Sequence, residues 1–491
     1  MSTESGVPAA EGPPLEPAAP SFLPAGHSDL RKEQSLRGSR IPQANQGRGV
    51  PEPAPAAAGR EPPPEPIARH ARTRFVPMVP ESLRDTRLSD STIHGLMMRF
   101  LLNRGIVAGK DIADQIKLPL RLLSGILRRW KEERFVVYKG EAPHHDFFYE
   151  LTDTGREQAL RYNELCSYFG AAPVSLEDYV ASVDAQSIRK QNPRLAHFRR
   201  AFVDLLLREE LIGQLGQAVC SGLGLFLYGA PGNGKTSIAE RVTRAFGEGI
   251  WVPRAISIQG EIIRLYDVVH HAVIPWSGSP RASQDDEIDA RWLYVRRPTI
   301  VVGGELTMEN LEVSFSRGTG ICEAPLQLKS NCGTLVIDDF GRQRISPTEL
   351  LNRWILPLEK RYDILNLPSG RKVRVPFDQL IVFSTNLEPR SLVDEAFLRR
   401  VPYKIDVPDP TEAEFRDLWQ QEARASGIAC SDEMVSYVIE KHYRATGRSM
   451  RFCHPRDLVA QIRVYCAFRE EAPEVTRAAI DAAAKNYFAV M

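Results

Sequence analysis

The pattern of apolar and polar positions divides the chain into distinct tracts. Residues 1–78 show no period: Pro, Ala, Gly and Glu crowd them and large apolar residues are few. Such a tract cannot bury enough surface to offset its ordering entropy, so a disordered tail is expected. Periodicity begins near Ser82. Residues 91–103, 109–117 and 120–134 carry apolar side chains at helical spacing, and Leu118-Pro119 marks the end of the second helix. Two strand-like runs, 135–138 and 147–151, are followed by a helical stretch from Gly155. Residues 169–200 are polar and read as a linker. An amphipathic helix over 202–219 leads to the apolar run 225–228, a buried strand, and a helical pattern fills 237–246. Beyond it the pattern predicts a second strand at 250–258 and a second helix at 261–273. A mixed stretch over 274–333 holds the strand-like pieces PTIVVGG and LEVSF. The continuous apolar run 334–337 reads as a parallel strand covered on both faces, with 381–386 as the next strand and an all-helical tail.

Between the strand 225–228 and the helix 237–246 stands Gly229-Ala230-Pro231-Gly232-Asn233-Gly234-Lys235-Thr236. Strand, glycine loop, helix is the context a P-loop needs. Glycines let backbone N–H groups turn inward around phosphate oxygens, and the helix N-terminus adds partial positive charge. Lys235 is expected to reach the β- and γ-phosphates and the Thr236 hydroxyl to sit on Mg²⁺. Gly229, Pro231, Gly232, Asn233, Gly234 and Ser237 complete the expected nucleotide site. The strand 334–337 ends in two carboxylates: Asp338 is placed to hold the Mg²⁺ shell and Asp339 to polarise the attacking water, with Glu305 and Asp378 as the alternatives for that role. A guanine-reading NKxD motif is missing, as are GxSxG and HExxH, which sets GTPase and protease readings aside.

Composition changes this picture little. The 491 residues have a net charge of +1, so any attraction to nucleic acid or membrane must be local. The seven cysteines include no CxxC pair, and no secretory apolar segment is legible, which favours a reducing cytoplasm. No run approaches the ~18 apolar residues of a membrane span. The histidine pairs His144-His145 and His270-His271 are adjacent, a spacing that suits surface or hairpin positions rather than metal ligation.

With the P-loop, Asp338-Asp339, the strand 381–386, Ala396-Phe397-Leu398-Arg399-Arg400 and His454-Pro455-Arg456 in a helical tail, the region 201–491 resembles the AAA+ ATPases. The long stretch before the acidic strand, the hairpin over 360–375 and the HPR motif are similar to MoxR-type members, and bacterial enhancer-binding activators share part of this set. The resemblance implies an α/β fold: an AAA+ core at 201–408 with a parallel sheet and a helical lid at 409–491. It implies ATP and Mg²⁺ as ligands, Asn386 as the residue orienting water near the γ-phosphate, and Arg456 as a lid sensor. It also implies Arg400 as a finger reaching a neighbouring subunit's nucleotide, with Arg399 the competing candidate. Self-association into a ring follows from the same resemblance. Asp339 departs from it, since most AAA+ proteins place Glu there; with a carboxylate one methylene shorter the water must sit closer or be bridged, and a slow ATP-binding switch is the alternative to rapid hydrolysis.

The earlier tract, 82–168, has three helices and a β-hairpin in winged-helix order, and its FFYELTDTGREQA run is similar to the wing and closing helix of bacterial winged-helix proteins. Between Lys117 and Lys139 seven basic residues face two acidic ones, a local net of +5, so DNA is a candidate partner beside a protein surface. Two functions are therefore expected to compete. One is a ring ATPase that remodels an unnamed protein client; the other is an ATP-gated DNA-binding switch.

Overall fold

The computed structural model describes residues 75–247, 249–276, 288–392 and 395–489, so the expected tail lies almost wholly outside the described residues. The first helices form where apolar spacing places them, at Asp90–Arg104, Gly109–Ile116 and Leu120–Glu132. Ser89 caps the first by accepting the Thr92 N–H, and Leu123, Ile126, Leu127 and Trp130 are the buried face of the third. The hairpin Val136–Ala142 and Asp146–Leu151 joins the short strand Val107–Ala108 in a three-stranded antiparallel sheet. Its core also takes in Ala255 and Ile262 from far along the chain.

The polar stretch 169–200 is folded rather than a connector. Val174–Ser175 pairs with Ala255–Ile258, and Leu176–Gln186 is a helix that buries Tyr179 and Val183. Polarity here marks internal pairing: Asp378 accepts hydrogen bonds from the Ser187 hydroxyl, the Ile188 N–H and the Arg189 guanidinium. The helix expected over 202–219 begins only at Glu209 and runs Glu209–Ser221. Residues 202–204 form a turn instead, and Arg208, with extended backbone just before the helix, has its guanidinium held by Glu414 and the Asp409 carbonyl.

The α/β core is a five-stranded parallel sheet in the spatial order Thr299–Val302, Thr334–Ile337, Leu380–Thr385, Leu225–Tyr228, Tyr403–Asp406. All side chains of the second and third of these strands are buried, which explains their unbroken apolar runs. Leu215, Ile238 and Val242 cover one face, and Leu350, Trp354 and Phe397 cover the other. The strand beside the acidic one is thus Thr299–Val302, within PTIVVGG, and not 250–258. Those residues form two strands outside the core sheet: Gly249–Pro253 pairs with Trp292–Arg296, and Ala255–Ile258 turns back on Glu261–Arg264. The expected helix at 261–273 fails because Gln259 and Gly260 both adopt positive φ, 51° and 92°, and close a tight hairpin. Ile256 and Ile263 then face each other across strands instead of lying along a helix. Together with Ser314–Ser316, Ile321–Glu323 and Val174–Ser175 they build a second five-stranded sheet. His271 is not at the surface; it is buried between the Asp267 N–H and the Lys329 carbonyl.

The hairpin Tyr362–Asn366 and Lys372–Pro376 forms as expected. The tail is helical, with Glu412–Ala425, Asp432–Val438, His454–Phe468 and Arg477–Tyr487 closing around their own core of Phe415, Trp419, Ile462 and Ile480. Among the described residues no helix is long and apolar enough to cross a membrane.

Candidate functional site

At the C-terminal ends of the parallel strands lies a cleft of about 920 Å³, bordered by the loop from Pro231 to Ser237, the acidic pair, Asn386 and the helical tail. The loop can bend as it does because Gly229 and Gly232 adopt φ of 133° and 85°. Contacts reinforce the choice. A Cβ on Gly229 would meet the Val407 carbonyl oxygen at 2.6 Å, and one on Gly232 would meet Cys453 Sγ at 2.5 Å. Gly234 precedes the helix Lys235–Val242, whose first turn faces the cleft.

The Lys235 ammonium donates to the carbonyls of Gly229 (3.0 Å) and Ala230 (2.9 Å) and to Asn386 Oδ1 (2.7 Å). Burial pushes its pKa down, while Asp338 and Asp339 pull the other way. Thr236 Oγ1 donates to Asp338 Oδ2 at 2.8 Å. Asn386 Nδ2 donates to Asp339 Oδ1 at 3.1 Å, so one amide spans the lysine and the second carboxylate. Asp339 itself sits at φ 48°, which aims its side chain off the end of the strand. A hydroxyl and a carboxylate in mutual contact are oxygen donors of the kind a hard divalent cation takes, so Thr236 and Asp338 fit Mg²⁺. Asn233 is buried within the loop, where its Nδ2 donates to the Val407 carbonyl and to Asp409 and so ties the loop to the segment after the last core strand. Glu305 and Asp378 are not among the residues bordering the cleft.

The helical tail touches the loop directly. The Cys453 N–H donates to the Gly232 carbonyl at 3.0 Å, and Arg451 pairs with Asp409. Arg456, in the first turn of His454–Phe468, borders the cleft and pairs with Asp457 at 3.0 Å. His454 beside it is buried against Tyr443, whose hydroxyl lies 3.0 Å from Nδ1, and burial followed by the Arg451 charge lowers its pKa to about 4. Arg400 is elsewhere: it does not border the cleft and its guanidinium lies 3.7 Å from Glu359. Its neighbour Arg399 is exposed.

Two groups of cleft residues escaped the sequence reading. Leu205, Leu206, Leu207 and Leu211, with Leu418 from the tail, supply an apolar wall at one end. The pattern hid the first three, since apolar residues at 205–207 fit a helix as well as the non-helical segment they form. Arg342 also borders the cleft, and the signal for it was available: it stands on the turn that leaves the acidic strand.

Residues 411–486 match a family model described as Domain of unknown function (DUF8689). No curated protein matches the chain in sequence. Among solved structures it is similar to NtrX from Brucella abortus in complex with ADP, at 15% identity over 57% of this chain and 55% of that one, with a TM-score of 0.36. The same protein in complex with ATP gives 16% identity over 59% and 58%, with a TM-score of 0.35. The Thermotoga maritima RuvB Holliday junction branch migration motor gives 14% identity over 59% and 73%, with a TM-score of 0.34. The chain spans little more than half the length of the NtrX chain it matches.

Proposed function

We propose that this chain is an AAA+ ATPase that binds ATP with Mg²⁺ in the cleft, hydrolyses it, and works in an oligomeric ring to remodel a protein partner. One observation carries the proposal. Asn386 bridges Lys235 and Asp339 while Thr236 meets Asp338, all at the edge of a glycine loop whose strand lies beside the strand bearing Asn386. Mg²⁺ held by Thr236 and Asp338 would supply positive charge to the phosphate oxygens. Lys235 exchanges its two loop carbonyls for those oxygens. Asp339 and Asn386 orient a water whose oxygen attacks the γ-phosphorus. The bond from that phosphorus to the bridging oxygen breaks, the electron pair leaves on ADP, and the water proton passes to Asp339 and on to solvent. Arg456 faces the phosphates from the tail, and the apolar wall of Leu206, Leu207 and Leu418 suits the adenine. The position of Arg400, away from its own cleft, supports a role at a neighbour's.

The test is a pair of variants measured with a fluorescent ATP analogue and a phosphate-release assay. Lys235→Ala should lose binding while staying folded. Asp339→Asn should keep ATP bound and stop turnover. Undiminished ATP affinity in folded Lys235→Ala overturns the assignment.

A second reading has its own support. Tract 82–168 is read as a winged helix; its third helix leaves Arg128, Arg129 and Lys131 exposed, as is Arg134 on the turn after it, beside a hairpin on which Tyr138 stacks against Phe147 at 4.4 Å. A basic helix with a flanking aromatic hairpin suits duplex DNA, and the ATPase would then gate that contact. Duplex binding that weakens steeply with salt, and that flattens in Arg128→Ala with Arg129→Ala, supports the switch. No duplex binding at low salt leaves a protein-docking role.

A further inference from the structure

We propose that Arg342 is a catalytic residue of the same cleft, contacting the γ-phosphate of the ATP held by its own chain; the inference rests on the ATPase reading above. Five basic side chains border the cleft: Arg208, Lys235, Arg342, Lys404 and Arg456. Four are engaged. Arg208 is held by Glu414, Lys235 by loop carbonyls and Asn386, Lys404 by the Leu398 carbonyl, and Arg456 by Asp457. Among the described residues the Arg342 guanidinium has no hydrogen bond or ion pair, although it stands four residues after Asp338 and three after Asp339. An arginine left without a carboxylate, close in the chain to two of them, is a cation kept for another anion.

Its place in the cleft narrows what that anion is. The turn bearing Arg342 is closed by its own N–H donating to the Asp339 carbonyl at 3.0 Å. Gln343 pins the same turn from both sides: its Oε1 accepts the Gly341 N–H at 2.8 Å and its Nε2 donates to the Asp338 carbonyl at 2.7 Å. Arg342 is thereby tied to the acidic pair and Asn386, at the phosphate end, and not to the apolar wall that suits a base. Asp338 and Asp339 place two negative charges at that end against the single ammonium of Lys235, and a triphosphate adds several more. A guanidinium there balances charge that grows on the terminal phosphoryl oxygens as the bridging bond breaks. Because its backbone is fixed to Asp339 before substrate arrives, only the side chain has to be ordered on contact.

The contact is specific to the third phosphate, so ATP and ADP must respond differently. Affinities for both are measured by titration with the full chain, at concentrations where sedimentation shows a monomer, for the parent, Lys235→Ala, Arg342→Ala and Arg342→Lys. Arg342→Ala should weaken ATP about 10-fold or more while leaving ADP near the parent, and Arg342→Lys should recover part of the loss. Failure of the parent to bind either nucleotide brings down this proposal and the ATPase reading together. If Lys235→Ala loses binding but Arg342→Ala keeps the parental ATP-to-ADP ratio, only the Arg342 assignment falls. A shift seen solely where the chain assembles moves the contact to a neighbour's nucleotide and overturns the claim for its own.

Discussion

Gly232 has two neighbours with different demands on it. Its φ of 85° is where an L-residue carries a strain of about 1–2 kcal/mol, and the space beside it belongs to Cys453 Sγ. Gly232→Ala should therefore weaken nucleotide binding through both the loop and the tail. Adding Cys453→Ala should return only the part due to crowding. A calorimetric titration of the two variants checks this, and a double variant no better than the single one removes the tail contact from the account. The first demand was legible in the chain, since a glycine in a loop between strand and helix announces an unusual backbone. The second was not, because Cys453 lies more than two hundred positions away and nothing in either neighbourhood names the other. The same holds for Asn386, whose role was expected from resemblance but whose bridge between Lys235 and Asp339 depends on three separate segments meeting in space.

At the scale of elements, the junction between core and tail helices titrates in two separate windows. Burial holds His454 down to about 4, so as pH falls below its ordinary 6.5 the unfolded chain takes up a proton that the folded chain resists. Its neutral-form stabilisation is complete above 6.5 and is lost between 6.5 and about 4. Glu414 acts later. Hydrogen bonds from Arg208 first, and from Thr411, hold it down to about 2, so its contribution is present above 4.5 and fades as pH falls toward 2. Hydrogen-exchange protection of the helix Glu412–Ala425, taken relative to the intrinsic rate at each pH, should fall in both windows. Glu414→Gln should remove the lower one, and His454→Gln the upper one. Protection that stays constant from pH 7 to 3 in the parent contradicts the scheme. The elements themselves were read unevenly. Parallel strands such as Thr334–Ile337 declare themselves because both faces are buried. The hairpin Ala255–Ile258 and Glu261–Arg264 did not, because Ile256, Ile258, Ile262 and Ile263 satisfy a helical or a paired spacing until the Gln259-Gly260 turn decides between them.

For the whole molecule, the proposed ring makes a prediction that no single chain can. If Arg400 serves a neighbour's ATP, Arg400→Ala should bind ATP nearly as well as the parent and lose turnover by about 10³-fold. Mixing it with Lys235→Ala subunits should restore some activity, since each supplies what the other lacks. Full specific activity from a dilute monomer sinks the ring. The chain's own connectivity has another consequence, for the order in which it becomes a protein. The first helical tract cannot finish its core alone: Ala255 and Ile262 complete it, and the Ser167 N–H reaches the Thr319 carbonyl. During synthesis, those partners emerge on the order of ten seconds after the hairpin Val136–Ala142 and Asp146–Leu151 has left the ribosome. Until then an apolar face waits uncovered. A nascent chain stalled near residue 200 should thus be a better client for a chaperone than either the finished protein or a much shorter fragment.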